Sequence, residues 1–338
     1  MSPGPLATTG PADLGPRRSQ DLLSREFREY LSSDPDYRRL DELQQKGWNN
    51  PEGDQYFNAR RQKSASADRG GGKYALLRMM KNIGDQFNTK TGAFEISSAQ
   101  PKVLDFCMAP GGFVSCALKY NESAKVDAFS LHPNQGGHRV LVDYGIKDER
   151  VTMVYKDVTM FAAEFGVPSS PEHHSRWKHL QQKWPYHTPH YDLVICDGAI
   201  LPSSGYQDSF MIEINSMMTF RLINLFHEFS SVRLFKPPRA HAIKSSFYLL
   251  ARNVQSDSQP CLEAMTLFKH IWEQTTFETI SEATYRLCNE FSVERRPLSP
   301  ELEEFGSRYI ELARPLWNVQ ADALAAASFT KVTAAAPS

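Results

Sequence analysis

The segment running from Lys102 to Phe113 (KVLDFCMAPGGF) does more than any other to limit what this chain can become. An apolar run ends at Asp105 and Phe106, a turn of small residues follows at once, and a helix is expected to start near Phe113. Gly111 and Gly112 carry no Cβ, so the backbone can pass close to a ligand there. Amide groups at the start of the helix can receive a carboxylate or another anion. A strand, tight turn and helix of this kind opens a βαβ unit, and α/β sheets bind nucleotides outside the carboxyl ends of their strands. The glycines do not follow the GxGxxG spacing, which disfavours a dinucleotide enzyme.

Three more short runs share that character: Val126 to Phe129, Val151 to Val154 and Tyr191 to Cys196. Each is β-branched or aromatic, bounded by turn residues and separated from the next by longer stretches. Such alternation predicts a parallel sheet in an α/β layer. A helix from about Met217 to Phe229 is expected to lead to Ser231–Leu234 and a late strand over Phe247–Leu250. Upstream, Leu22, Leu23, Phe27, Tyr30, Leu31, Leu40 and Leu43 fall at helical spacing. Asp34 and Pro35 divide them into two helices. The polar stretch Asn49 to Gly72 reads as a linker, and Tyr74 to Phe87 as another helix. The expected organisation is a disordered tail over 1–20, a helical extension and linker over 21–70, and an α/β domain over 71–255. A helical extension over 256–325 and an Ala-rich disordered tail over 326–338 complete it.

Several classes are excluded by what the chain lacks. A net charge of −1 argues against holding long duplexes by bulk electrostatics, while leaving room for a local basic patch. The five cysteines show no CxxC spacing, so neither a disulfide framework nor a zinc site is suggested. Five histidines, at 173, 174, 179, 187 and 190, lie in a Pro-rich insertion, but only Glu172 joins them at useful spacing. A solvated loop is the preferred reading, with no metal. No apolar run reaches the roughly 18 residues of a membrane span, and residues 1–16 lack the features of a signal peptide. An intracellular protein, cytoplasmic or nuclear, is the expectation.

The chain resembles the FtsJ-like family of RNA ribose 2'-O-methyltransferases in four pieces. These are Leu104 to Phe113 (LDFCMAPGGF), Lys156-Asp157-Val158, Asp192 to Ala199 (DLVICDGA), and Phe235 to Tyr248 (FKPPRAHAIKSSFY). They occur in the family's order and cover about half of the chain. The resemblance implies a Rossmann-like methyltransferase sheet with helical extensions at both ends, and S-adenosylmethionine as methyl donor. It implies that the loop Ala109, Pro110, Gly111, Gly112 and Phe113 holds the methionine part of that donor, with Asp105 among the donor-binding residues. Ser130 stands at the ribose position, Asp157 accepts from the adenine amino group, and Asp197 lies beside the sulfonium methyl.

The family's chemistry uses a Lys-Asp-Lys-Glu tetrad, in which cations favour the alkoxide and carboxylates position the cations. Asp197 fills the Asp position. Arg78 looks most equivalent to the first Lys, with Lys81 and Lys73 as alternatives; an Arg is permanently charged and cannot act as a tuned base. Ser246 stands where the terminal Glu is expected. Fewer than twenty residues separate Ala199 from the helix near Met217, too few for the family's helix, turn and Lys-bearing strand. The sequence therefore suggests a sheet lacking one central strand. Lys236 is a candidate for the second Lys, although its Lys-Pro context matches a later loop and an RNA contact or surface charge is the alternative.

Arg233, Lys236, Arg239, Lys244 and Arg252 form a basic run with no acid between them. With Arg78, Arg239 and Lys244 are the candidates for phosphate contact, making RNA the expected partner. Three classes remain open: an RNA 2'-O-methyltransferase, a methyltransferase acting on a small molecule, and a non-catalytic protein that keeps a cofactor or RNA surface.

Overall fold

A computed structural model describes residues 27–67, 73–161, 180, 183–188, 190–197, 225–277 and 299–331. The tail 1–20, Ala199 and most of the histidine-bearing insertion lie outside the described residues, as does the start of the helix expected at Met217. The fold is mixed α/β, with helices at both ends of the chain. In order it runs α1 (Pro35–Trp48), α2 (Pro51–Ala67), α3 (Lys73–Thr91), β1 (Lys102–Asp105), α4 (Gly112–Tyr120), β2 (Lys125–Ser130) and β3 (Val151–Tyr155). There follow β4 (Leu193–Ile195), β5 (Phe229–Phe235), β6 (Tyr248–Val254), α5 (Gln259–Phe277) and α6 (Ser299–Ala326).

Strands β1 to β4 form a wholly parallel sheet in the order β3-β2-β1-β4, with Asp105 level with Ala128 on one side and Ile195 on the other. Four parallel strands put their carboxyl ends on one edge, and the strand order reverses between β1 and β4. That edge is where an α/β sheet of this kind binds its ligand. Met108, Val103, Val114, Val126 and Ile83 are fully buried and pack the sheet against α3 and α4.

β5 and β6 pair antiparallel as a separate hairpin, so the described residues hold a four-stranded and a two-stranded sheet. Residues 198–224, where the family fits a strand between these two sheets, are not among those described. The period-2 alternation of strands explains how the hairpin is used. Phe235, Tyr248 and Leu250 face the α/β core, with Phe235 stacked on Phe87 at 5.5 Å. Val232, Leu234, Phe247 and Leu249 face a second core built from α1, α6 and Phe329. Buried on both faces, the hairpin joins the α/β domain to a helical cap made by the two ends of the chain.

Three expectations are corrected here. Residues 51–67 form a helix, not a linker. Asn50 accepts from the Glu52 amide at 3.0 Å, Pro51 opens the helix, and Glu52 and Asp54 fall in its first turn. Those start signals are in the sequence; what is missing is periodicity, because among the described side chains Tyr56 and Phe57 are the ones that anchor the helix inward. The Ala-rich end does not fray at 326 either, since Phe329 is 1% exposed and packs on Tyr56 and Phe57 at 5.0 and 5.7 Å. Within the insertion, Leu180 and Tyr186 are buried rather than solvated. The Tyr186 hydroxyl donates to the Ala128 carbonyl and accepts from the Ala128 amide at 3.1 Å. Trp184 packs edge-on to Phe129 beside it.

The division at Asp34 and Pro35 holds: Asp34 caps α1 by accepting from Asp36 and Tyr37, and Arg314 of α6 donates to it at 2.8 Å. Removing the aromatic ring of Phe329 in a Phe329→Ala variant is expected to destabilise the protein by about 3–5 kcal/mol. Urea unfolding followed at two wavelengths would check this, and a loss below about 1 kcal/mol would show that the C-terminal segment is not part of the core.

Candidate functional site

The parallel sheet gathers Asp105, Ser130, Asp157 and Asp197 at its carboxyl edge. Asp105 ends β1 with 2% of its surface exposed; its Oδ1 accepts from the Cys107 amide at 2.9 Å. Burial, helped by the charge of Asp197, pushes its carboxyl up to about 7 against the amide's opposing pull. Asp197 lies two residues beyond β4, across the strand-order reversal from Asp105. Its side chain reaches solvent, yet the chain around it crowds the carboxyl enough to push it up to about 6. Burial is the whole cause of that shift: among the described residues no cation offsets it.

Ser130 ends β2 and is buried, with its carbonyl accepting from the Lys156 amide at 3.0 Å. Asp157 is exposed just past β3 and caps a short 3-10 turn, accepting from the Thr159 amide at 3.0 Å and hydroxyl at 2.7 Å. Both of those bonds use Oδ1. Cys107 stands among these acids: burial, Cys196, Asp105, Asp197 and Asp157 together push its thiol up to about 12, so it is inert as a nucleophile.

Ala109 to Phe113 form the turn into α4. Gly111 is the N-cap, at φ +108, and no side chain caps this helix. Its first-turn amides therefore have no side-chain acceptor, which suits a carboxylate group from outside the chain. The two glycines are also demanded by the protein itself. A Cβ on Gly111 would fall 2.5 Å from Cγ2 of Val142, and one on Gly112 would strike Met80 and come within 3.1 Å of the Lys81 nitrogen on α3. The Leu141 amide donates to the Pro110 carbonyl at 3.0 Å, so residues 140–142 form a strap across the loop. Nothing in the sequence marks Val142 for this place, because a long loop after β2 delivers it.

The basic run divides once its partners are seen. Arg233 donates to the Thr91 carbonyl at 3.1 Å and Arg252 to the Gly92 carbonyl, so both satisfy the carboxyl end of α3. Lys236 is 5% exposed, and its Nζ donates to the carbonyls of Lys244 and, at 2.8 Å, Ser246. Burial lowers its ammonium to about 8. Arg239 and Lys244 remain at the surface of the 236–247 loop, and Arg78 and Lys81 are exposed one turn apart on α3. Burial, and then the charge of Asp197, raise the phenol of Tyr248 at the start of β6, and its ring packs edge-on against Phe113 of the glycine loop at 5.8 Å. The aromatic character of that strand is legible in the sequence; its packing on Phe113 is not.

The family model for FtsJ-like methyltransferases matches residues 80–237. Residues 80–237 are an FtsJ-like methyltransferase domain. S-adenosylmethionine is the cofactor of this FtsJ-like domain, and the site fits it. The donor brings a sulfonium, an ammonium and an adenine amino group, all suited to an edge rich in carboxylates. It also brings a carboxylate, suited to the uncapped start of α4. A solved structure similar to this chain is human methyltransferase-like protein 13 in complex with SAH. It matches at 12% identity and a TM-score of 0.28, over 59% of this chain and 91% of that one, too distant to weigh on the site. A search of curated proteins finds no match. Among the described residues no group of acids, histidines and cysteines is arranged to hold a metal ion, and no helix is long and apolar enough to cross a membrane.

Proposed function

We propose that the FtsJ-like domain methylates the ribose 2'-hydroxyl of an RNA. The observation that carries this reading is Asp197, a carboxylate with no compensating cation among the described residues, at the strand end nearest the order reversal of an FtsJ-like sheet. When bound, S-adenosylmethionine would supply an electrophilic methyl group on a sulfonium for transfer to the ribose oxygen, with the hydroxyl proton passing to the Lys236 amine. Asp197 holds and orients that positive charge. Asp105, Ala109 to Phe113 and the start of α4 hold the methionine end, Ser130 borders the ribose, and Asp157 accepts from the adenine amino group. Lys81 and Arg78, exposed on the helix packed against Gly112, present positive charge that favours the alkoxide and steadies a phosphate. Lys236 offers an ammonium that loses its proton near neutral pH, a value suited to general base work. Arg239 and Lys244 supply further phosphate contacts.

One observation favours a second reading, a protein that binds donor and RNA without turnover. Lys236 spends two of its donors on loop carbonyls, and burial alone lowers it, with no carboxylate facing it among the described residues. Transfer from donor carrying a tritiated methyl group separates the two. The expected result is label in 2'-O-methylated nucleosides after nuclease digestion of the RNA, reduced at least about a hundredfold in Asp197→Ala. Donor binding with no label in RNA would replace the enzymatic reading with the second one.

A further inference from the structure

A cavity of about 320 Å³ lies between the helical cap and the 236–247 loop, lined chiefly by cap residues from outside the methyltransferase domain. Its walls are Gln44 and Trp48 of α1, Phe57 of α2, Gln320 of α6, Phe329, and the loop residues around Lys244. The volume is at the lower end of the range for small-molecule sites, roughly 300–1,000 Å³, which suits one planar heterocycle rather than a large cofactor.

The lining has two parts of different chemistry. Phe57 and Phe329 make an apolar floor, with Phe329 1% exposed, while Trp48 stands at the mouth with 64% of its surface open. An indole left so exposed beside a cavity costs apolar contact with water unless something covers it. Around that floor sit groups that can address a polar edge: the amides of Gln44 and Gln320, the hydroxyl of Ser245 and the ammonium of Lys244. The loop wall is firmly placed, because Gln320 donates to the Ile243 carbonyl at 3.2 Å and Lys236 donates to the carbonyls of Lys244 and Ser246. The buried Lys236 thus acquires a purpose apart from catalysis, holding Lys244 at the rim.

We propose that this cavity holds a nucleobase of the RNA, one or a few nucleotides from the methylated ribose, stacked on Trp48 with its phosphate against Lys244. Aromatic stacking beside a cation is the usual means of gripping a single strand. The same loop borders both places: Lys244 and Ser245 line the cavity, and Tyr248, three residues on, packs edge-on against Phe113 of the glycine loop at 5.8 Å. A strand leaving the methyl-acceptor position therefore has a continuous path along the loop. Two helical segments outside the family domain, α1 with α2 and α6, are then part of the substrate surface. The inference rests on the RNA-methyltransferase reading for its choice of ligand.

The test uses the full chain and a fluorescein-labelled single-stranded oligoribonucleotide of mixed sequence, read by anisotropy. Trp48→Ala is expected to weaken binding roughly tenfold, and Trp48→Phe, which keeps an aromatic face, by less than about threefold. Lys244→Ala is expected to reduce the slope of log affinity against log salt by about 0.7. Donor affinity stays at the wild-type value in all three. RNA affinity unchanged in Trp48→Ala, or an oligonucleotide that does not bind the wild type, overturns the proposal. Loss of RNA binding in Trp48→Ala with no methyl transfer by the wild type leaves the cavity assigned and removes the enzymatic reading. Methylation by Trp48→Ala at an unchanged KM for RNA does the reverse.

Discussion

Replacing Gly112 with alanine is expected to lower the stability of the protein by about 3 kcal/mol, the upper end of the cost of overpacking a close-packed interior. The added Cβ would meet Met80 and the backbone of Lys81, with the Lys81 nitrogen at 3.1 Å and the Met80 carbonyl carbon at 3.2 Å. These atoms belong to the axis of α3, not to the far end of a flexible side chain, so the helix itself must move. A loss of that size corresponds to a fall in Tm of roughly 6–12 °C for a domain of this class. Gly145→Ala supplies the control. It sits at φ +63 with nothing within 4 Å of an added Cβ, so it costs backbone strain alone, roughly 1 kcal/mol. Because α3 carries Arg78 and Lys81, displacing it should also reduce methyl transfer more than donor affinity. Equal Tm values for the two variants would show that α3 does not seat on the glycine loop.

That result bears on how the glycine loop is read from sequence. Small residues at 109–112 announce a close approach, and the sequence invites a ligand as its cause. The structure adds two others, Val142 above Gly111 and Met80 against Gly112, which lie 31 and 32 residues along the chain from the glycine each one meets. The four parallel strands are legible because each is a short apolar run bounded by turns, and Asp34-Pro35 is legible because a cap and a starting Pro are local signals. The helix over 51–67 and the burial of Phe329 are not, since each depends on a few aromatic residues meeting from opposite ends of the chain. The basic run fails for a related reason: charge is visible in sequence, but the carbonyls of Thr91, Gly92, Lys244 and Ser246 that absorb it are not. The acids at 105, 157 and 197 share one edge because strand parity and direction, both readable, put them there.

Donor affinity is expected to rise with pH between about 5 and 7 and to level off above, by up to one logarithmic unit per pH unit for each proton released. Asp105 and Asp197 titrate near 7 and 6 in the free protein, both raised first by burial. A cationic donor interacts favourably with the ionised forms alone, so protonation competes with binding as pH falls through those values. Stability of the unliganded protein runs the other way. Both carboxyls have folded values above the usual 3.8, so the folded state binds more protons, and their contribution to stability declines as pH rises from about 4 through 7. Apparent Tm without donor should therefore fall across this window while the increment caused by donor grows. In Asp197→Asn the lower part of the binding slope disappears, and affinity at pH 8 drops roughly tenfold, a modest figure because the group is partly screened by solvent. Calorimetric titration in two buffers of different ionisation enthalpy would count the protons directly. A wild-type affinity that does not change between pH 5 and 8 would mean that neither acid faces the sulfonium or the ammonium, and the donor would have to lie elsewhere on the sheet edge.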